Sequence, residues 1–152
     1  MPAGMSVAHP LPFSTPERTS PSTRPTALII DDSTSMRALL RLALGSAGVD
    51  VVAEAGTGTQ ALELYAQHRP SLVLMDIVLP GADGVEVATQ LLRAFPEAQV
   101  VMCSSLTTRE RLVACRDAGV AHFLLKPFTV EKVAEVARTV LARQAALAGS
   151  AA

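Results

Sequence analysis

Five short apolar runs, each ending abruptly on a polar residue and each followed by a helical pattern, constrain this chain more than any other feature. Ala27-Leu-Ile-Ile30 runs into Asp31-Asp32-Ser33, Leu72–Met75 into Asp76, Val100–Cys103 into Ser104-Ser105, and Val120–Leu125 into Lys126-Pro127; Val49–Ala53 is the remaining run. None of them alternates apolar with polar residues. Continuous apolar strands belong to a sheet covered on both faces, and such sheets are parallel. Five strand–helix units are too few to close an eight-fold barrel, which leaves an open, doubly wound α/β sheet with helices on both faces.

The intervening segments carry helical periodicity and helical punctuation. Met36, Leu39, Leu40, Ala43 and Ala47 recur at helical spacing after a Ser33 or Thr34 cap, and Gly48 stops them. Thr59–His68 and Val85–Phe95 read as the second and third helices, with Pro96 ending the latter. Thr107 or Thr108 caps a fourth that runs to Ala118 and stops at Gly119. Thr129 opens a fifth, with Val130, Val133, Ala134, Ala137, Val140 and Leu141 on one face.

The 152 residues suffice for one domain with a proper core. Residues 1–26 hold six of the ten prolines among many Ser and Thr. Such a segment buries too little apolar surface to offset its ordering and is expected to be a disordered tail. Residues 27–144 form the folded unit, and the small-residue-rich end, 145–152, is expected to fray. A net charge of -1 with scattered basic residues gives no footprint for nucleic acid. No apolar run approaches the roughly 20 residues of a membrane span, and the N-terminus lacks a secretory apolar core. His9, His68 and His122 lie far apart, and Cys103 and Cys115 sit in apolar segments as buried thiols. That pattern offers no zinc spacing and suits a reducing, cytoplasmic compartment.

A parallel sheet brings all the strand-end residues to one edge. Asp31, Asp32, Asp76, Ser104 and Lys126 therefore share a crevice. A carboxylate near a sheet core costs several kcal/mol unless it is compensated, and three together repel. Oxygen-only ligands without His or Cys favour Mg²⁺. Asp76 could then attack phosphorus and form an aspartyl phosphate, with the metal and Lys126 stabilising the phosphoryl oxygens and Ser104 donating to them. Simpler readings exist: an acidic pair complementing a helix dipole, and an ordinary surface lysine. Yet Lys126 and Lys132 are the only lysines among 13 basic residues, and the acids fall in register with Lys126. A haloacid-dehalogenase-type phosphatase would place its nucleophile after strand one with a second acid two residues on; here the two acids are adjacent. A flavin module would need a Ser/Thr/Gly-rich phosphate loop where Asp31 and Asp32 stand. A phosphorylation-independent binding module is the third alternative.

The motifs "DDS" at 31–33, "MDIVLPGADG" at 75–84, "VMCSS" at 101–105 and "LKPF" at 125–128 stand in the order and spacing of the receiver domains of bacterial two-component response regulators, which the chain resembles from Thr26 to about Arg143. The resemblance implies sheet order 2-1-3-4-5 and a non-enzymatic phosphoacceptor whose only catalysis is its own phosphotransfer and dephosphorylation. It implies phosphorylation of Asp76, and Mg²⁺ held by Asp31, Asp32, Asp76 and the backbone carbonyl of Val78. Ser104 matches the switch hydroxyl, Lys126 the family lysine, Lys126-Pro127 the cis peptide bond, and Phe123 the aromatic switch, where Tyr is common. A sensor histidine kinase or histidine phosphotransfer protein is the implied donor. The implied output is contact with a downstream target protein through helix four, strand five and helix five. No DNA-binding segment follows the last helix, so a single-domain, chemotaxis-type messenger is expected, or else a phosphate sink. The resemblance places Val78 and Leu106 at the positions that flank the phosphoryl group in the family fold. Neither can orient a water, which predicts slow self-dephosphorylation.

Overall fold

The computed structural model describes residues 24–105 and 108–151. Its main sheet consists of β1 (Thr26–Ile30), β2 (Asp50–Ala55), β3 (Leu72–Asp76), β4 (Val100–Ser104) and β5 (His122–Leu125). These alternate with α1 (Thr34–Ser46), α2 (Ala61–His68), α3 (Gly84–Ala94), α4 (Arg109–Ala118) and α5 (Val130–Ala151). All neighbouring strands are parallel, in the order β2-β1-β3-β4-β5. A two-residue antiparallel ladder, Val78–Leu79 with Ala82–Asp83, links β3 to α3.

Successive strand residues point to opposite faces, so each buried run feeds two cores. Leu28, Ile30, Val73, Met75, Val100 and Met102 pack with Ala61 and Tyr65 of α2, Val87, Ala88, Leu91 and Leu92 of α3 and Cys115 of α4. Ala27, Ile29, Leu72, Leu74, Val101, Cys103 and Leu124 pack with Leu40, Ala43 and Leu44 of α1 and Val133, Val136, Ala137 and Val140 of α5. β3 and β4 are buried throughout, which is why their sequences are apolar without alternation.

The caps behave as their chemistry predicts. Ser33 accepts from Met36 N–H, Thr108 from Arg111 N–H and Thr129 from Lys132 N–H. Several boundaries differ from the sequence reading. Thr26, assigned to the tail, opens β1, exchanging backbone-to-hydroxyl bonds with Ser71. β2 extends to Ala55 because Ala55 pairs with Ile30. β5 begins at His122, since the N–H of Val120 is bonded back to Cys115 at the end of α4. A 3₁₀ turn, Gly58–Gln60, precedes α2. α5 continues past Gln144 to Ala151; Ala145, Ala146 and Leu147 are strong helix formers with no stop signal among them. Residues 1–23 of the expected tail, and Leu106 and Thr107, lie outside the described residues. Among the described residues no helix is long and apolar enough to cross a membrane.

Candidate functional site

The register puts the polar strand ends side by side. Ile30 pairs with Met75, Asp76 with Cys103, and Ser104 with Leu125, so Asp31, Asp76, Ser104 and Lys126 stand at adjacent strand tips. The structure brings together the acids and the lysine that the sequence singles out. Lys126 Nζ donates to Asp76 Oδ2 at 3.0 Å and to Asp31 Oδ2 at 3.4 Å. The remaining oxygen of each acid is also held: Asp31 Oδ1 accepts from Ser33 N–H at 2.9 Å and Asp76 Oδ1 from Val78 N–H at 3.1 Å. Asp31 and Asp76 are buried, whereas Asp32 faces solvent.

Burial raises the Asp31 carboxyl above its ordinary value, against the opposing pull of the Ser33 N–H and Lys126; the negative charge of Asp76 adds to the rise. For Lys126 burial works downward. The hydrogen bond to Asp76 and the charges of Asp31 and Asp76 outweigh it, and the ammonium ends above its ordinary value. One cation thus serves two buried carboxylates, and the acid side of the balance stays under-compensated. Oxygens of Asp31, Asp32 and Asp76 can all lie within 4.8 Å of one another. A donor set made only of oxygens, carrying excess negative charge, fits a hard divalent cation such as Mg²⁺.

Ser104 is buried at the tip of β4, and its carbonyl accepts the Lys126 N–H at 2.7 Å. The Lys126–Pro127 peptide bond is cis. Phe123 is half-buried on β5 and packs on the α2–α4 side of the sheet. Val78 is exposed, and Leu106 lies outside the described residues. Cys103 is buried beside the site with its thiol pushed up to about 12 by desolvation, so it is not a nucleophile there. Cys115 is likewise buried and raised.

Three structural partners of the site escaped the sequence reading or were left open by it. Gly84 lies so close to the loop after β3 that a Cβ there would meet the Asp76 carbonyl oxygen and Ile77; only its place in a turn was legible. Asp83 caps α3 through Val85 N–H and accepts from Arg111 Nη1 at 2.8 Å. Arg37 reaches the Asp31 carbonyl and Glu54. The one available sequence signal for the two ion pairs was opposite charges on separate elements, which is too common to single them out.

Residues 27–138 match the response regulator receiver domain family. Chemotaxis protein CheY of Bacillus subtilis strain 168 is 37% identical over 108 residues, spanning 71% of this chain and 90% of that protein. CheY of Thermotoga maritima is 32% identical over the same length, with the same shares of each chain. Among solved structures, the signal receiver domain of the putative response regulator NarL from Mycobacterium tuberculosis superimposes with a TM-score of 0.72 at 30% identity, covering 78% of this chain and 96% of that one. A CheX–CheY–BeF₃–Mg²⁺ complex from Borrelia burgdorferi gives 0.72 at 27% identity, covering 76% and 87%. With its sheet order, its strand-tip acids and lysine, and these matches, the chain belongs to the response regulator receiver domain family.

Proposed function

We propose that the chain is a cytoplasmic phosphoacceptor whose Asp76 takes a phosphoryl group from a histidine kinase or histidine phosphotransfer protein. The phosphorylated form then signals by contact with a downstream target protein. The observation that carries this reading is the Asp76 carboxylate itself: buried at the tip of β3, held by the Val78 N–H on one oxygen and by Lys126 at 3.0 Å on the other. The relatives named as chemotaxis proteins favour a chemotaxis-type output. The activity is assigned to residues 27–144.

In the transfer, an oxygen of Asp76 bonds to phosphorus while the bond from phosphorus to the donor's imidazole nitrogen breaks, its electron pair leaving on nitrogen. Lys126 bridges the place where charge builds on the phosphoryl oxygens, and the Ser104 hydroxyl is the second candidate donor to them. Asp31, Asp32, Asp76 and the Val78 carbonyl would hold Mg²⁺, which when bound supplies neutralising charge for those oxygens. Phe123, half-buried beside α4, is assigned the aromatic switch that reports phosphorylation to the surface of α4, β5 and α5.

Incubation with acetyl phosphate and Mg²⁺ is expected to add one phosphoryl mass, lost without Mg²⁺ and absent in Asp76→Asn. An adduct that survives that substitution overturns the assignment.

The lifetime of the phosphoprotein is assigned to Val78, whose side chain is exposed, and to Leu106. Hydrolysis needs a water in line with the phosphorus–oxygen bond, and neither side chain can orient one. Val78→Asn with Leu106→Glu is expected to speed decay about tenfold, roughly 1.4 kcal/mol off the barrier. Equal decay in wild type and double variant rules this assignment out.

A further inference from the structure

Every polar group of Asp31 has a partner. Its N–H donates to the Ala55 carbonyl at 3.0 Å, its carboxylate oxygens take the Ser33 N–H and Lys126, and its carbonyl takes Arg37 Nη1 at 2.5 Å. The last bond differs from the others. It comes from a long side chain in the opening turn of α1, where the helix dipole disfavours a cation. Arg37 is only 21% exposed, and its Nε lies 3.4 Å from Glu54 at the end of β2. Gly56 lies against the guanidinium: a Cβ there would meet Arg37 Nη1 at 3.4 Å, an ordinary van der Waals contact. The planar fork thus spans from β2 to the peptide that joins Asp31 to Asp32, a geometry that suits arginine and not a point charge.

We propose that Arg37 is a positioning residue for the acidic pair: by fixing the Asp31–Asp32 peptide plane it sets where both carboxylates leave the backbone, and so tunes the affinity of the site for a divalent cation. This rests on the phosphoacceptor reading of the same site. Residues that orient metal-binding side chains typically contribute 10- to 100-fold in metal affinity. The sign of the effect separates positioning from charge. If Arg37 acted only as a nearby cation, removing it would lessen repulsion and tighten Mg²⁺ binding. If it positions the pair, removal loosens binding.

The test is Mg²⁺ titration by calorimetry on the full, unphosphorylated chain. Arg37→Ala is expected to weaken Mg²⁺ binding about tenfold, while acetyl-phosphate labelling at saturating Mg²⁺ stays within about threefold of wild type. Arg37→Lys, which keeps a donor but not the fork, should recover part of the affinity and guards against a misfolded alanine variant. Arg41→Ala is the control: Arg41 shares Glu54 at 3.1 Å but is bonded to Glu54 and not to the Asp31 carbonyl, so its Mg²⁺ affinity should stay within about twofold of wild type. Unchanged or tighter binding in Arg37→Ala overturns the proposal alone, as does equal weakening in Arg41→Ala. A wild-type chain that binds no Mg²⁺ overturns the functional reading and this inference with it.

Discussion

Helices α3 and α4 lie on the same face of the sheet and are nearly equal in length, at 11 and 10 residues. α3 buries Gly84, Val87, Ala88, Leu91 and Leu92, whereas α4 buries Cys115 alone. The cause is compositional: five of the ten residues of α4 are charged. α3 is further fixed at its start, where the Gly84 N–H donates to the Ile77 carbonyl at 2.6 Å and its Cα fits against the Asp76 backbone. One helix is bolted to the loop that follows Asp76. The other is held mainly through a few apolar contacts and the Arg111–Asp83 pair. Segments with few buried contacts open at low free energy, so a rearrangement driven from the strand tips has α4 as its easiest outlet.

The most severe way to break this contrast is Gly84→Ala. The added Cβ would collide with the Asp76 carbonyl oxygen and sit 2.7 Å from Ile77 Cα, both backbone atoms that cannot swing aside. A cost of about 3 kcal/mol or more is expected in denaturant unfolding, at the upper end of overpacking effects. A loss below about 1 kcal/mol would show that the Asp76–Gly84 loop yields easily and that α3 is no anchor.

A pair of truncations sharpens the contrast. Leu91 of α3 is fully buried, while Val113 of α4 is 37% exposed. Leu91→Ala should cost about 2–5 kcal/mol and Val113→Ala about 0.5 kcal/mol. Comparable costs would mean that α4 is packed as firmly as α3.

The same contrast explains what could be read from the sequence. The buried strands β1, β3 and β4 were legible because two-sided burial leaves an unbroken apolar run. The residues that terminate the runs then fall on one edge by topology alone, and so Asp31, Asp76 and Lys126 were identifiable. Caps at Ser33, Thr108 and Thr129 were legible because their chemistry is local. The partners that stiffen the site were not. Arg37 to Glu54 and Asp83 to Arg111 are ion pairs across separate elements, and neither leaves a periodic trace. The weak packing of α4 was present in its composition, but charge on a helix reads as solvent exposure whether or not the helix moves. The end of α5 was read as a fraying tail from its small residues; its helical assignment runs on to Ala151, which alanine's strong intrinsic helix preference favours.

The subtlest expected effect concerns the tie between the two helices. Asp83 is bound from both sides, by Val85 N–H at 2.9 Å and by Arg111 Nη1 at 2.8 Å. Partial burial raises its carboxyl. The Arg111 hydrogen bond, the Val85 N–H and the Arg111 charge outweigh that, and the group ends below its ordinary value. A carboxyl whose value is depressed by folding contributes stability above the unfolded value, near pH 4, and loses it as pH falls through the folded one. The side chains are 38% and 42% exposed, so solvent screens the pair and about 0.5 kcal/mol is the scale to expect. Asparagine caps a helix nearly as well as aspartate, so Asp83→Asn should spare α3 and release only α4. In native-state hydrogen exchange at neutral pH, α4 amides of the variant should exchange about twofold faster than wild type, with α3 amides unchanged. As pH falls through the depressed folded value, wild type and variant should converge, because the wild-type carboxyl is then protonated and the ion pair gone. Asp83→Ala, which also removes the cap, should disturb α3 by about 1 kcal/mol more. If Asp83→Asn speeds exchange in both helices equally, α3 and α4 form one cooperative unit and the contrast between them fails.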